Sequence, residues 1–304
     1  MIILFLGRTE RMHHSQNVFI RLIYALILLL AATTASALTI VGYSSATNDR
    51  FSSGYASSPV ENTSLSFLGN GYDLSGVGWS STDSTRSFAM ISDQYFVFAN
   101  HHAPGAAMNF YSPTLDTVVS YGISNSYNFT YNGQTSDFAV GRLVSALNPA
   151  HGITSYPILY APTPESYLGL PVLMYGNGVG GPRLGANVVD LYGSYSLNGG
   201  TLNNIGIGYS DSSSLSGDSV LQSGDSSSPT FVLWNGALTL VGTHSGAAQD
   251  SSYSVDNFIP YYLLQMINQG IPFSYVVVPK PSRAMLLLLG ACTLLRRRHR
   301  APRE

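Results

Sequence analysis

The chain has 304 residues, of which only 10% are charged, with 30 glycines, 20 tyrosines and a single cysteine, Cys292. One cysteine excludes an intramolecular disulfide, and few charged residues beside abundant Gly, Ser, Tyr and Val argue against long helices and for short strands joined by polar turns. Between Leu38 and Val278 four basic residues (Arg50, Arg86, Arg142, Arg183) stand against fourteen acidic ones, a formal charge of −10, which argues against nucleic acid as a partner because phosphate binding needs clustered Lys and Arg.

In chain order, the first element is "FIRLIYALILLLAATTASA", Phe19 to Ala37. A basic residue, an apolar run and small residues at Ala35 and Ala37 predict a secretory signal cleaved before Leu38. Met12 is a second candidate start, and a retained membrane anchor is the competing reading. Strand-like runs then recur at short spacing: "SFAMIS", "YFVFAN", "DTVVSYGI", "YNFTYN", "FAVGRLV", "YPILYA", "PVLMYGNG", "NVVDLYGSYSL", "PTFVLW" and "LTLVGTHSG". Trp234-Asn235-Gly236-Ala237 is a hairpin signal. Ser210 to Ser228 is the one low-complexity stretch, and no repeat of fixed period is found. A helix is predicted over Val255 to Gln269, where Phe258, Tyr262, Leu263, Met266 and Ile267 share one face. The last apolar run, Ala284 to Leu295, is twelve residues, short of the roughly 20 a membrane helix needs. Arg296, Arg297, Arg298 and Arg300 follow it and are expected to stay cytoplasmic.

Ten or more short strands predict an all-β barrel or sandwich. Four histidines fall between Leu38 and Val278: His101, His102, His151 and His244. Two end the run "YFVFANHHAPG". Asp137 opens the apolar run "SDFAVGRL". "SGDS" occurs twice, around Ser219 and around Ser226, and only the second is followed by Pro229 and two strands. Taken singly, each is bland: a histidine at a strand edge, an aspartate capping a strand, a serine-rich loop. His101-His102 is no recognised metal-ligand spacing, and no matching cluster accompanies it. No metal site and no cofactor is expected.

Taken together, the order His, Asp, Ser resembles the chymotrypsin-like serine proteases, over about residues 76 to 269. "FVFANHH" is similar to that family's strand ending Ala-Ala-His-Cys, "SDFAVGRL" to its Asp-Ile-Ala-Leu-Leu segment, and "GDSSSP" to Gly-Asp-Ser-Gly-Gly-Pro. The resemblance implies two six-stranded antiparallel β-barrels (trypsin-like) with a C-terminal helix. It implies catalytic His101, Asp137 and Ser226, with His102 left open as the alternative base. Ser is a weak nucleophile and needs a base to take its proton, and a carboxylate on the base's other nitrogen fixes its tautomer. The resemblance also places an oxyanion hole at the N–H groups of Gly224 and Ser226, Val220 at the base of the primary specificity pocket, and Ser245 beside the substrate backbone. Val220 there implies an apolar or small residue before the cut. Asp225 is implied as the partner of a freed N-terminal amine, and "TIVGY", Thr39 to Tyr43, resembles the family's mature terminus. Departures are His102 where the family has a disulfide cysteine, and Ser227 and Ser228 where it has two glycines.

The C-terminus, Pro279-Lys280-Pro281-Ser282, apolar run, arginines, resembles the PEP-CTERM sorting signal of bacteria that carry exosortases. It departs from it in having Lys280 between the prolines. A plain C-terminal anchor would give the same topology. The resulting division is 1–37 signal peptide, 38–275 trypsin-like domain and 276–304 sorting or anchor segment. The function implied is an exported serine endopeptidase of the cell envelope or extracellular space. Its partners would be a protein or peptide substrate and an exosortase-like sorting enzyme, with membrane contact only through the terminal segments. The alternatives are a catalytically inactive barrel kept for surface binding or adhesion, and an unrelated β-sandwich in which the three motifs never meet.

Overall fold

The computed structural model describes residues 37–278 except 179, 198–199, 211–216 and 248–252. The signal-peptide and sorting-signal readings lie outside the described residues. Among the described residues no helix is long and apolar enough to cross a membrane.

Short extended runs dominate the described chain. β1 (Thr39–Ile40), helix α1 (Ser45–Asn48), β2 (Phe51–Ser53) and β3 (Val60–Glu61) lead into β4 (Val77–Ser80), β5 (Ser87–Met90), β6 (Tyr95–Ala99), β7 (Ala107–Ser112), β8 (Thr117–Tyr131) and β9 (Gln134–Leu143). β4 to β9 close into a six-stranded barrel in the order β4-β5-β6-β9-β8-β7. Closure removes exposed sheet edges. The barrel is filled by Phe88, Met90, Phe96, Phe98, Met108 and Phe110, each worth roughly 1.5–3 kcal/mol when fully buried. β8 joins the two segments that the sequence suggests as separate strands. Register shifts between Ile123 and Asn125 and between Asn128 and Thr130 let one strand bend around the barrel.

The second half holds β10 (Ile158–Tyr160), β11 (Pro171–Gly176), β12 (Arg183–Val188), β13 (Leu191–Leu197), β14 (Leu202–Ser210), β15 (Ser219–Val220), β16 (Pro229–Trp234), β17 (Ala237–Ala247), β18 (Tyr253–Phe258), helix α2 (Leu263–Asn268) and β19 (Tyr275–Val277). Nine of these strands form a barrel-like sheet, β12-β11-β16-β17-β18-β14-β13, with β10 on β17 and β19 on β10. β15 pairs with β1 instead. Asn235 and Gly236 both have positive φ (51° and 80°), the two-residue hairpin turn that Asn-Gly favours. The helix expected over Val255 to Gln269 is shorter. Tyr253–Phe258 is strand β18, Ile259–Tyr262 is a 3₁₀ turn carrying Pro260, and only Leu263–Asn268 is α-helical. A proline has no N–H for an interior helical bond and is tolerated only at such a start.

Aromatic packing joins the halves. Phe138 of β9 stacks on Tyr262 at 4.6 Å between ring centres, and Phe129 of β8 lies 4.9 Å from Phe138. The contact fixes β9, and Asp137 with it, against the second sheet.

Candidate active site

β6 and β9 are antiparallel neighbours with Ala99 opposite Phe138. The chain beyond Ala99 therefore meets the residue before Phe138. β6 runs into a 3₁₀ turn, Asn100–His102, which brings His101 onto Asp137. His101 Nδ1 lies 2.8 and 2.9 Å from the two Asp137 oxygens, and the His101 backbone N–H donates to Oδ1 at 2.9 Å. A carboxylate only accepts, so Nδ1 carries a proton and Nε2 of the neutral ring is left as an acceptor. His101 Nε2 is 2.9 Å from Ser226 Oγ.

Asp137 is fully buried. The Ser245 hydroxyl donates to its Oδ2 at 2.5 Å and the Asn257 amide at 3.3 Å. Burial pushes its pKa up, but the His101 ring, the Ser245 hydroxyl and the His101 N–H outweigh burial and hold it below the usual carboxylate value. Its backbone N–H donates to Asn204 Oδ1 at 2.5 Å, and Ser136 Oγ donates to the same oxygen at 3.0 Å. Asn204 belongs to β14, so a residue of the second sheet pins the backbone that carries the carboxylate.

Ser226 sits in a loop between β15 and β16. Asp225 folds the loop on itself, its carboxylate accepting from the Gln222 N–H at 2.8 Å and the Asn177 N–H at 3.0 Å. Burial pushes the Asp225 pKa up to about 6 against these donors and the nearby His244. Gly224 has φ 105°, a backbone region that glycine enters without steric cost. Among the described residues no group accepts from the N–H of Gly224 or of Ser226. Ser227 has φ 76°, a left-handed conformation that costs a non-glycine residue roughly 1–2 kcal/mol. Its hydroxyl offsets this by accepting from the Ala99 N–H at 2.9 Å and donating to the His102 carbonyl at 2.9 Å.

His102 is the second ring of the site but not the one on the serine hydroxyl. Its Nδ1 lies 2.7 Å from the Ser226 carbonyl, which can only accept, so Nδ1 is the donor. Burial lowers the His102 pKa, which favours the neutral Nδ1–H form.

Of the other residues singled out from sequence, Ser245 is here but turns its hydroxyl to Asp137. Val220 is buried in the β1–β15 ladder opposite Thr39 and adds no polar group to the cluster. Ser219 of the first "SGDS" is tied to the Ala186 carbonyl at 3.0 Å. Among the described residues no three His, Cys, Asp or Glu side chains group as metal ligands.

Four contributors went unmarked in sequence: Asn204, Asn257, the Ser227 hydroxyl and a buried pair behind the loop. In that pair His244 Nδ1 is 2.6 Å from Asp256 Oδ1, Nε2 is 2.9 Å from the Tyr175 carbonyl, and Tyr209 donates to Asp256 Oδ2 at 2.8 Å. His244 also exchanges backbone bonds with Ser227 and Ser228, each 2.8 Å. The phrase "THSG", on the strand that pairs back along the one after "GDSSSP", is the available signal for His244. The asparagines gave none, because their roles depend on strands that meet only in the fold.

No family model and no curated protein sequence matches the chain. Among solved structures, the NS6 protease from murine norovirus 1 is similar at 15% identity and TM-score 0.40, over 60% of this chain and 89% of that one. The inactive form of Rv3671c from M. tuberculosis H37Rv is similar at 16% identity and TM-score 0.43, over 64% of this chain and 85% of that one. A shared shape at such identities assigns neither residue nor reaction.

Proposed function

We propose that the chain is an exported serine endopeptidase that hydrolyses peptide bonds through an acyl-enzyme. The observation that carries the reading is the unbroken relay from Asp137 through both nitrogens of His101 to Ser226 Oγ, with every step at 2.8–2.9 Å. Ser226 Oγ attacks the scissile carbonyl carbon while His101 Nε2 takes its proton. Asp137 stabilises the imidazolium that forms. The charge on the carbonyl oxygen is met by the N–H groups of Gly224 and Ser226, each such donor being worth about 3 kcal/mol of barrier. His101 then protonates the leaving amine, and water, deprotonated by the same ring, releases the acyl group. No cofactor is invoked. The substrate is a protein or peptide with an apolar or small residue before the cut, Val220 forming the base of its pocket.

Residues 38–275 form the catalytic domain in this reading, delivered by the N-terminal signal and handled at the envelope by an exosortase-like enzyme through residues 276–304. A non-catalytic surface-binding barrel is the second reading. It is favoured by Ser227 at φ 76° next to Ser226 and by Asp225, whose oxygens among the described residues accept from the backbone N–H groups of Gln222 and Asn177 alone.

The deciding experiment is labelling of the purified chain by a fluorophosphonate probe. Labelling abolished by Ser226→Ala and retained in Ser219→Ala is the expected result. A folded wild-type protein that takes no label, before or after trimming to Leu38, would leave the binding reading standing.

A further inference from the structure

The second sheet carries an apolar face that the catalytic reading does not use. Tyr160, Pro260, Tyr261, Leu264, Ile267 and Tyr275 border a shallow groove of about 460 Å³ that no charged residue lines. Apart from Pro260, which is buried, these side chains reach solvent. Leu264 is 68% exposed, Ile267 59% and Tyr275 56%. An uncharged aromatic and aliphatic face is out of keeping with a domain of formal charge −10, and contiguous exposed apolar surface marks a contact site.

Its position suggests what covers it. β19 borders the groove and is the last described strand, pairing in parallel with β10. The chain leaves β19 for the segment whose sequence holds the apolar run Ala284 to Leu295, bracketed by Arg283 and Arg296. Twelve residues as a helix would measure roughly 18 Å, short of the ~30 Å hydrocarbon thickness of a bilayer. A run too short to span holds less firmly than a full membrane helix, and interfacial binding strengthens with each further area of apolar surface that is buried. From Val278 to Ala284 is six positions, at most roughly 21 Å of extended chain. Insertion of the run would therefore hold the groove at the lipid surface at high effective concentration. Tyrosines, with an apolar ring and a polar tip, suit the headgroup region.

We propose that the face formed by Tyr261, Leu264, Ile267 and Tyr275 lies on a lipid bilayer and is the second attachment of a chain whose C-terminal run is the first. The inference does not depend on the peptidase reading, but it rests on an exported chain that keeps its C-terminal run.

The test uses the full chain and phosphatidylcholine vesicles, with Leu264→Trp as reporter against the constant background of Trp79 and Trp234. Vesicles should shift the reporter's emission to the blue, and brominated acyl chains should quench it. Leu264→Ser with Ile267→Ser should lower vesicle partition by about tenfold or more while thermal unfolding without lipid stays unchanged. Failure of the chain to bind vesicles would overturn the proposal. So would binding that leaves reporter and double variant unaffected, with the run acting alone. A reporter already blue-shifted without lipid would mean another occupant, the chain's own apolar run if the shift is independent of concentration and a second copy if it grows with concentration.

Discussion

Asp225→Asn isolates the cost of a buried carboxyl in the loop that carries Ser226. Burial raises the Asp225 pKa from 3.8 to about 6, against the Gln222 and Asn177 N–H donors. The folded chain therefore holds this proton more tightly than the unfolded chain. The contribution of Asp225 to stability is complete below about pH 4, falls as pH rises towards 6 and is flat above it, a loss of ~3 kcal/mol. Urea unfolding of wild type and variant from pH 4 to 7.5, in a chain that retains the residues before Leu38, measures it. The stability difference, wild type minus variant, should fall by about 3 kcal/mol across that range. A difference that does not change with pH would refute the reasoning.

The same measurement reads the N-terminus. Ala37 and Leu38 are buried, and a Cβ built on Gly176 would lie 2.5 Å from Leu38 Cγ and 2.6 Å from Asp225 Oδ1. Leucine and carboxylate thus border one small space. A chain cut before Leu38 carries an α-amine of pKa roughly 7.7–8.0 into that neighbourhood. Its charge should pull the folded Asp225 pKa down and remove or reverse the slope between pH 4 and 6. Equal slopes in the cut and uncut chains would mean that the amine does not reach Asp225.

His101→Ala should lower kcat/KM by about 10⁴ or more with the fold intact, whereas His102→Ala, which loses one bond to the Ser226 carbonyl, should cost only about tenfold; the reverse order would transfer the base to His102. Ser245→Ala removes a donor from Asp137, so the carboxylate pKa should rise and activity should fall at the acid end of the pH profile first, as read by kcat/KM against pH. Ser227→Gly relieves the left-handed strain but loses two hydrogen bonds and loosens the unfolded chain, for a net loss of about 1–2 kcal/mol by urea unfolding; a stabilised variant would show that the strain outweighs the bonds. His244→Phe leaves Asp256 buried beside Tyr209 without its ring partner and should cost about 3–5 kcal/mol, measured the same way.

Elements defined by local pattern were legible in the sequence. The apolar runs of β5, β6, β9, β11, β16 and β17 are short, bounded by turn residues and buried as strands. Val255–Phe258 misled because apolar residues three apart suit a helix face as well as a strand buried on both sides. What decides it is tertiary: Asp256 must face His244 across the β17–β18 ladder. The site divides in the same way. His101, Asp137 and Ser226 each stand in a short recognisable phrase, and the fold brings all three within hydrogen-bond reach. The groups that hold them there, Asn204, Asn257 and the Ser227 hydroxyl, act between halves of the fold and leave no local pattern to read.

The division of the relay between the two halves has a further consequence during synthesis. His101 and Ser226 are 125 positions apart. In chain order the strands of the barrel that carries His101 and Asp137 end at Leu143, well before the loop that carries Ser226. On the peptidase reading, a chain made only as far as Leu143 holds the imidazole and the carboxylate but no hydroxyl, and the three meet only when the later sheet closes against Phe138.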